Sequence, residues 1–276
     1  MSAQPGFQTH VHTLGKGARR ALALHCTMAF GGAWAGVARA LSGHITLIAP
    51  DMPSHGKSDD WDEVSHLSDT AVISAASAMD DAPMDVIGHS FGAMTALRIA
   101  VSYPERVRSL TVIEPVFFAI SRQDAPDTIE SYESHSEPFA QAVQDRDWET
   151  AARAFNGMWS DDAAPSWDSL PERTRAAMVR GVHVVPGSRS VLYEDDRGLL
   201  RPGGVDAIAV PTLMLRGQNA DPAIIAANDG LVARIPDARQ AIVPGAGHMA
   251  PITHPDATAA IWKQFLDTVG QEALRV

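Results

Sequence analysis

The segment Gly88-His89-Ser90-Phe91-Gly92 has the residue types and the spacing of a sharply turned nucleophile. It follows a short apolar run, Met84 to Gly88, and precedes a stretch with apolar residues at helical spacing. A G-x-S-x-G sequence between a strand and a helix imposes strained backbone angles on its serine, and the flanking glycines remove the Cβ atoms that would collide. We therefore predict that the hydroxyl of Ser90 projects clear of a sheet edge and can attack an electrophile.

A serine hydroxyl is a weak nucleophile at neutral pH, so a base must take its proton during the attack. The chain has 11 histidines, and position distinguishes His248 from the others. It ends the segment Pro244-Gly245-Ala246-Gly247-His248, a glycine-rich loop after the last predicted strand. The order of serine and then histidine along the chain also fits this type of nucleophile. We predict His248 as the base.

Two carboxylates compete for the acid that would orient the histidine. Asp221 precedes Pro222 and an apolar helical segment, so helix capping alone explains it. Glu114 ends a predicted buried strand, where a carboxylate is costly unless a cation or a strong donor lies opposite. The carboxyl ends of parallel strands are also where such sheets bind ligands. We favour Glu114 and keep Asp221 as the alternative.

Attack on a carbonyl creates an oxyanion that needs hydrogen-bond donors fixed in advance. We predict the backbone N–H groups of Phe91 and Thr27 as these donors, with Met28 as the neighbour of Thr27 in the loop after an early strand. Cys26 lies in the same loop and is a rival nucleophile, but an isolated cysteine is more often a small buried apolar side chain.

The elements that would position these residues alternate between apolar strands and helical segments, a pattern typical of a parallel sheet covered by helices on both faces. From Ala119 to Val205 the strand pattern stops, and two predicted helices, Glu137 to Trp159 and Pro171 to Val185, replace it. We predict a core domain of residues 1–118 and 206–276 and a helical cap of residues 119–205. The predicted strands are Ala21 to His25, Ile45 to Ala49, Met84 to Gly88, Val107 to Ile113, Thr212 to Arg216 and Gln240 to Val243.

These motifs together resemble the α/β-hydrolase superfamily. His25-Cys26-Thr27 is similar to the family's His-Gly-x oxyanion loop, and Pro50 to Ser58 is similar to its Asp-x-x-Gly-x-Gly-x-Ser stretch. The segments GHSFG and GAGHM follow in the family's order. Cys26 and Ser54 stand where the family usually has glycine. The resemblance implies an α/β-hydrolase fold, a mostly parallel sheet flanked by helices, with the cap inserted after the sixth strand.

The placement of Glu114 resembles that in haloalkane dehalogenases, which carry the acid after the same strand. Those enzymes attack with an aspartate, and Ser90 stands at that position here. Phe91 replaces their halide-holding tryptophan. The resemblance therefore extends to the placement of the acid and not to dehalogenation.

Composition excludes several other classes of function. The formal charge of −11 over 276 residues, without a Lys/Arg run, argues against nucleic-acid binding. One cysteine permits no intrachain disulfide and no thiolate metal site, and we recognise no pair of histidines with a matching third ligand. No stretch is apolar enough to span a membrane. We expect a cytoplasmic protein without metal or organic cofactor.

The leading functional hypothesis is hydrolysis of a carboxylic ester or lactone through an acyl-enzyme on Ser90. The same residues could cleave a C–C bond in a diketone or transfer the acyl group to hydrogen peroxide or another acceptor. A ligand-binding protein without turnover is the alternative from another class. The expected partner is a small acyl substrate, and the oligomeric state stays open, a homodimer included.

Overall fold

The computed structural model of the chain describes residues 1, 3–160 and 165–273. Within them lies one sheet of seven strands in the order β1-β3-β2-β4-β5-β6-β7. β1 pairs with β3 in antiparallel fashion, and every other pairing in this sheet is parallel. The strands are β1 (Val11–Gly15), β2 (Arg19–Leu24), β3 (Ile45–Pro50), β4 (Met84–His89), β5 (Val107–Ile113), β6 (Thr212–Gly217) and β7 (Ala238–Val243).

Helices connect the parallel strands. They are α1 (Ala35–Ala40), α2 (Leu67–Ser77), α3 (Phe91–Ser102), α4 (Phe118–Asp124), α5 (Pro126–Gln144), α6 (Trp148–Trp159), α7 (Glu172–Val182), α8 (Val184–Gly187), α9 (Arg189–Tyr193), α10 (Pro222–Arg234), α11 (Ala250–Thr253) and α12 (Pro255–Ala273). Short 3-10 helices span Gly31–Trp34, Pro104–Arg106, Trp167–Ser169 and Val205–Ala207. None of the helices within the described ranges combines the length and the apolarity that crossing a bilayer requires.

The central strands form because their side chains are buried on both faces of the sheet. Every residue of β3 and of β4 is buried, as expected for strands covered by helices on both sides. Met94 and Leu97 of α3 belong to the apolar core on one face, and Trp34 and Trp262 belong to the core on the other. Both tryptophans are almost fully buried. The predicted α/β-hydrolase fold with a mostly parallel sheet is therefore confirmed, as are the six predicted strands within one or two residues.

The edge strand β1 has no counterpart in the sequence prediction. Its side chains alternate between exposed and half-buried positions, so it has no continuous apolar run. It is held by its register against β3, in which Val11 lies opposite Pro50 and Gly15 lies opposite Thr46.

The helical insertion follows β5 and precedes β6. The expectation that it would follow the sixth strand is not confirmed. The position after the sixth strand was implied by the family resemblance. In the described part of this chain five strands, β1 to β5, precede the insertion, and of these only β1 is antiparallel to its neighbour. The predicted helices Glu137 to Trp159 and Pro171 to Val185 correspond to parts of α5 to α8, with a break after Gln144.

Candidate active site

Ser90 occupies the sharp bend between β4 and α3. Its backbone has φ 57° and ψ −117°, a conformation that side-chain-bearing residues rarely adopt. Its N–H donates to the carbonyl of Ile113 at 2.9 Å, which fixes the bend to the neighbouring strand. A Cβ at Gly88 would lie 2.2 Å from the carbonyl oxygen of Gly92, and one at Gly92 would lie 2.3 Å from that of Leu24. Both glycines are therefore required by close backbone approach.

His248 and Glu114 meet at the carboxyl edge of the sheet. Nδ1 of His248 lies 3.1 Å from Oε2 of Glu114, although 134 positions separate the two residues. The other carboxylate oxygen, Oε1, accepts the N–H of Gly217 at 2.6 Å. The contact arises because β5, β6 and β7 are adjacent, so Glu114 after β5, Gly217 at the end of β6 and the loop after β7 converge. Glu114 is fully buried and adopts φ 50°.

Asp221 caps a helix instead. Its Oδ1 accepts the N–H of Ala223 at 2.7 Å at the start of α10, with Pro222 at the first helical position. Among the described residues its carboxylate makes no hydrogen bond to His248. The structure therefore brings Glu114, and not Asp221, against the candidate base.

Burial shifts the pKa values of the His248–Glu114 pair in opposite directions. It raises the pKa of Glu114 to about 8, although the N–H of Gly217 and the charge of Arg216 counteract the shift. It lowers the pKa of His248 to about 3. Both shifts have the same cause, because removal from water disfavours the charged form of each side chain. The two groups are coupled, so an extra proton on the pair is shared between them and is lost as the pH rises. In the pair without that proton, Glu114 accepts a hydrogen bond from Nδ1–H of His248, and Nε2 has a free lone pair.

The N–H groups of both predicted oxyanion donors are without a backbone partner among the described residues. Phe91 is the first residue of α3, so its N–H has no partner within the helix. The Thr27 amide donates to no acceptor among the described residues, and Thr27 lines the cavity that contains Ser90. Met28, the neighbour considered with Thr27, is engaged elsewhere, because its N–H donates to Nε2 of His55 at 2.8 Å.

A cavity of about 840 Å³ joins these groups. Ser90 and His248 both line it, together with Thr27 and Cys26. The Cys26 side chain is only 3% exposed, and burial raises the pKa of its thiol to about 12. A thiol with such a pKa carries almost no thiolate at neutral pH, which makes Cys26 a poor nucleophile.

Comparison with known proteins decides the family. The model of the alpha/beta hydrolase family matches residues 21–261 of the chain. The chain belongs to this family.

Relatives named for ester hydrolysis align with most of the sequence of this hydrolase. A pimeloyl-[acyl-carrier protein] methyl ester esterase from Pectobacterium carotovorum is 30% identical over 81% of the chain and 85% of the relative. Lipase LipV from Mycobacterium tuberculosis is 26% identical over 93% of the chain and 97% of the relative. Among solved structures, a membrane phospholipase A described as a bacterial virulence factor superposes with a TM-score of 0.74 at 21% identity, covering 98% of this chain and 86% of that one. The last similarity concerns the fold alone.

Two further histidines of the hydrolase hold the loops around the cavity. His25 donates from Nδ1 to the carbonyl of Cys26 at 2.7 Å and accepts the Met52 N–H on Nε2 at 2.8 Å. His55 donates from Nδ1 to the carbonyl of Pro53 at 2.8 Å and accepts the Met28 N–H on Nε2. Each ring therefore links the loop after β2 to the loop after β3. Both rings must stay neutral to accept an amide proton, and burial lowers the pKa of His25 to about 4 and that of His55 to about 3.

Trp159, at the end of α6, covers the candidate base. Its ring centroid lies 4.1 Å from that of His248, with the planes tilted by 36°. Its side chain is buried and also lines the cavity. No sequence pattern gives this tryptophan an individual role. Four other aromatic residues of the insertion pack within or beside its own apolar cluster, namely Phe139, Trp148, Phe155 and Trp167.

Proposed function

We propose that this hydrolase cleaves carboxylic esters through a covalent acyl-enzyme on Ser90. The contact between His248 and Glu114, at the cavity that contains Ser90, is the observation on which the proposal rests. Acyl transfer needs a nucleophile, a base and an acid that orients the base. Ser90 at its strained bend, His248 at the same cavity and the buried Glu114 beside His248 match these three roles.

The proposed reaction has two halves. Ser90 Oγ attacks the carbonyl carbon while Nε2 of His248 takes its proton, and the N–H groups of Thr27 and Phe91 hold the oxyanion. Collapse of the tetrahedral adduct breaks the ester C–O bond, and His248 returns the proton to the leaving alcohol. Water then attacks the acyl-enzyme with His248 again as base, which releases the carboxylic acid and restores Ser90.

Glu114 has two roles in this scheme. Its Oε2 accepts Nδ1–H of His248, which leaves the lone pair on Nε2 to take the proton of Ser90. Its negative charge also stabilises the imidazolium that forms during attack. The N–H of Gly217 fixes the carboxylate from the other side, so its orientation does not depend on the histidine alone.

The cavity supports a small or medium-sized, mostly apolar substrate. Its volume is within the usual range of roughly 300–1,000 Å³ for small-molecule sites, and Met28, Phe30, Phe155 and Met178 contribute to its lining. We assign residues 119–205 as a cap, because α6 and α7 supply one wall of the cavity while the loop after β2 supplies another. The ester and lipase activities named for the relatives fit this substrate class.

A panel of p-nitrophenyl esters of increasing acyl length tests the proposal. We expect a burst of p-nitrophenol of one equivalent per active site, followed by steady turnover, and both should disappear in Ser90→Ala. Cys26→Ser is the matched control and should keep the burst, because the thiol is buried and protonated. Binding of esters without release of p-nitrophenol would contradict the proposal and favour a ligand-binding protein.

The same assay separates the related reactions. Carboxylic acid formed from an ester in water alone supports hydrolysis. Product that forms only when hydrogen peroxide, an alcohol or an amine is supplied would instead assign the chain as a perhydrolase or an acyltransferase. Turnover of a diketone without turnover of any ester would assign it as a C–C bond hydrolase.

A further inference from the structure

Three potential metal ligands meet at the edge of the sheet, outside the cavity described above. One ligating atom from each of His10, His12 and Asp51 lies within 4.8 Å of the others. His10 and His12 are two positions apart along the extended chain at β1, so their side chains project to the same face. Asp51 follows β3, the antiparallel partner of β1, and its N–H donates to the His10 carbonyl at 2.8 Å.

The separation of two of these atoms already suits a metal ion. Nε2 of His12 lies 3.0 Å from Oδ1 of Asp51. Ligand atoms bonded at about 2.0–2.1 Å to tetrahedral Zn²⁺ lie roughly 3.3 Å from one another. The metal could therefore replace the proton between the two side chains with only a small displacement of the ring. The His10 ring packs edge-on against that of His12 at 4.7 Å, within reach of the third position.

The carboxylate of Asp51 is fixed by its surroundings. Its Oδ1 accepts the N–H of Gly31 at 2.7 Å, and its Oδ2 accepts the N–H of Lys57 at 2.9 Å. A Cβ at Gly31 would lie 2.6 Å from Cδ2 of His12, so the backbone at Gly31 also restricts one side of the imidazole. Outer-shell contacts of this kind orient the ligands of protein metal sites and raise their affinity.

We propose that His10, His12 and Asp51 form a binding site for one divalent transition-metal ion, with Zn²⁺ as the best fit. Two imidazole nitrogens favour a borderline transition metal over Ca²⁺ or Mg²⁺, which prefer oxygen ligands. Both histidines are partly exposed, so an ion can enter from solvent, and the remaining coordination position is open to water. The site joins β1 to the loop after β3. None of its three residues lines the cavity, although the His12 ring contacts that of Phe30, which does.

Isothermal titration of metal-depleted protein with ZnCl₂ is the test. We expect one ion per chain for the wild type. His10→Ala is the cleanest disruptive variant, because the His10 side chain makes no hydrogen bond within the described residues. It should weaken Zn²⁺ binding by more than about 100-fold, beyond the loss that an outer-shell substitution causes. His44→Ala removes an exposed histidine outside the cluster and should bind as the wild type does.

Two further measurements separate this site from other sources of affinity. His248 also has a carboxylate partner, Glu114, and is an alternative source of Zn²⁺ affinity. His248→Ala should retain the single Zn²⁺ site if the proposal holds. Co²⁺ in the wild type should give visible d–d absorption that His10→Ala lacks. Equal Zn²⁺ affinity of the wild type and His10→Ala, with unchanged thermal unfolding of the metal-free variant, would overturn the proposal, as would loss of the site in His248→Ala.

Discussion

Replacing Glu114 by glutamine reverses the hydrogen bond that orients His248. The N–H of Gly217 donates to Oε1 at 2.6 Å, so the amide oxygen of the new side chain must occupy that position. The amide NH₂ then faces Nδ1 of His248, where the carboxylate oxygen had been at 3.1 Å. A donor at that place requires Nδ1 to accept, which puts the imidazole proton on Nε2 and removes the lone pair that should accept the Ser90 proton.

The expected loss is large. The corresponding change of aspartate to asparagine behind the histidine of a serine protease lowers kcat by about 10⁴ through the same change of tautomer. We expect a similar factor for Glu114→Gln, which corresponds to about 5 kcal/mol in the activation free energy. Because the volume hardly changes and the Gly217 hydrogen bond survives, the variant should fold and should bind substrate with little change in KM.

Steady-state kinetics with a short-chain p-nitrophenyl ester measure the effect, and Asp221→Asn is the matched control. Asparagine caps a helix as well as aspartate does, so α10 should keep its start and turnover should stay within about threefold. The wild-type kcat/KM should also rise as the pH passes about 8, where the pair loses its proton, and this rise should be absent in Glu114→Gln. A loss below about tenfold in Glu114→Gln, or a larger loss in Asp221→Asn, would refute this assignment of the acid.

Two other consequences are open to measurement. Burial lowers the pKa of His25, His55 and His89 to between about 3 and 4 from the ordinary 6.5, so the unfolded chain binds more protons in that interval. The free energy of unfolding by urea should therefore fall as the pH drops below 6.5, by on the order of 1 kcal/mol per pH unit for each histidine, and a flat profile would contradict their neutral burial. The Trp159 ring lies on His248 and should stabilise its charged form by about 1–2 kcal/mol. Trp159→Leu should lower kcat by about 5–30-fold while Trp159→Phe restores most of it, whereas equal losses in both variants would indicate a packing role only.

Local motifs account for what could be predicted from the sequence. Ser90 and His248 could be predicted as nucleophile and base because a serine at a strand-to-helix bend and a histidine in the loop after the last strand each have a local pattern. The strand that leads to Ser90, β4, is buried on both faces, so its apolar run stands out. The strand before His248, β7, is mostly half-buried or exposed, and there the glycine-rich loop is the stronger pattern. The capping role of Asp221 was likewise readable, since Pro222 and the apolar segment follow it directly.

Contacts between distant strands could not be predicted in the same way. The choice of Glu114 rested on the cost of burying a carboxylate, and only the adjacency of β5, β6 and β7 brings it to His248. The cluster of His10, His12 and Asp51 went unnoticed because 39 positions separate Asp51 from His12 and the half-buried strand β1 has no apolar run. The contact of Trp159 with His248 depends on how α6 packs over the sheet, and no local sequence pattern predicts that packing.

The central claim is that the Ser90 hydroxyl is the nucleophile, and the most direct measurement is the site of covalent attachment of a fluorophosphonate probe. Digestion and peptide mass spectrometry of the labelled protein should place one phosphonyl group on Ser90, with none on Cys26. Labelling should be strongly reduced in Glu114→Gln and absent in Ser90→Ala. A probe found on Cys26 or another residue, or turnover that persists in Ser90→Ala, would contradict the account.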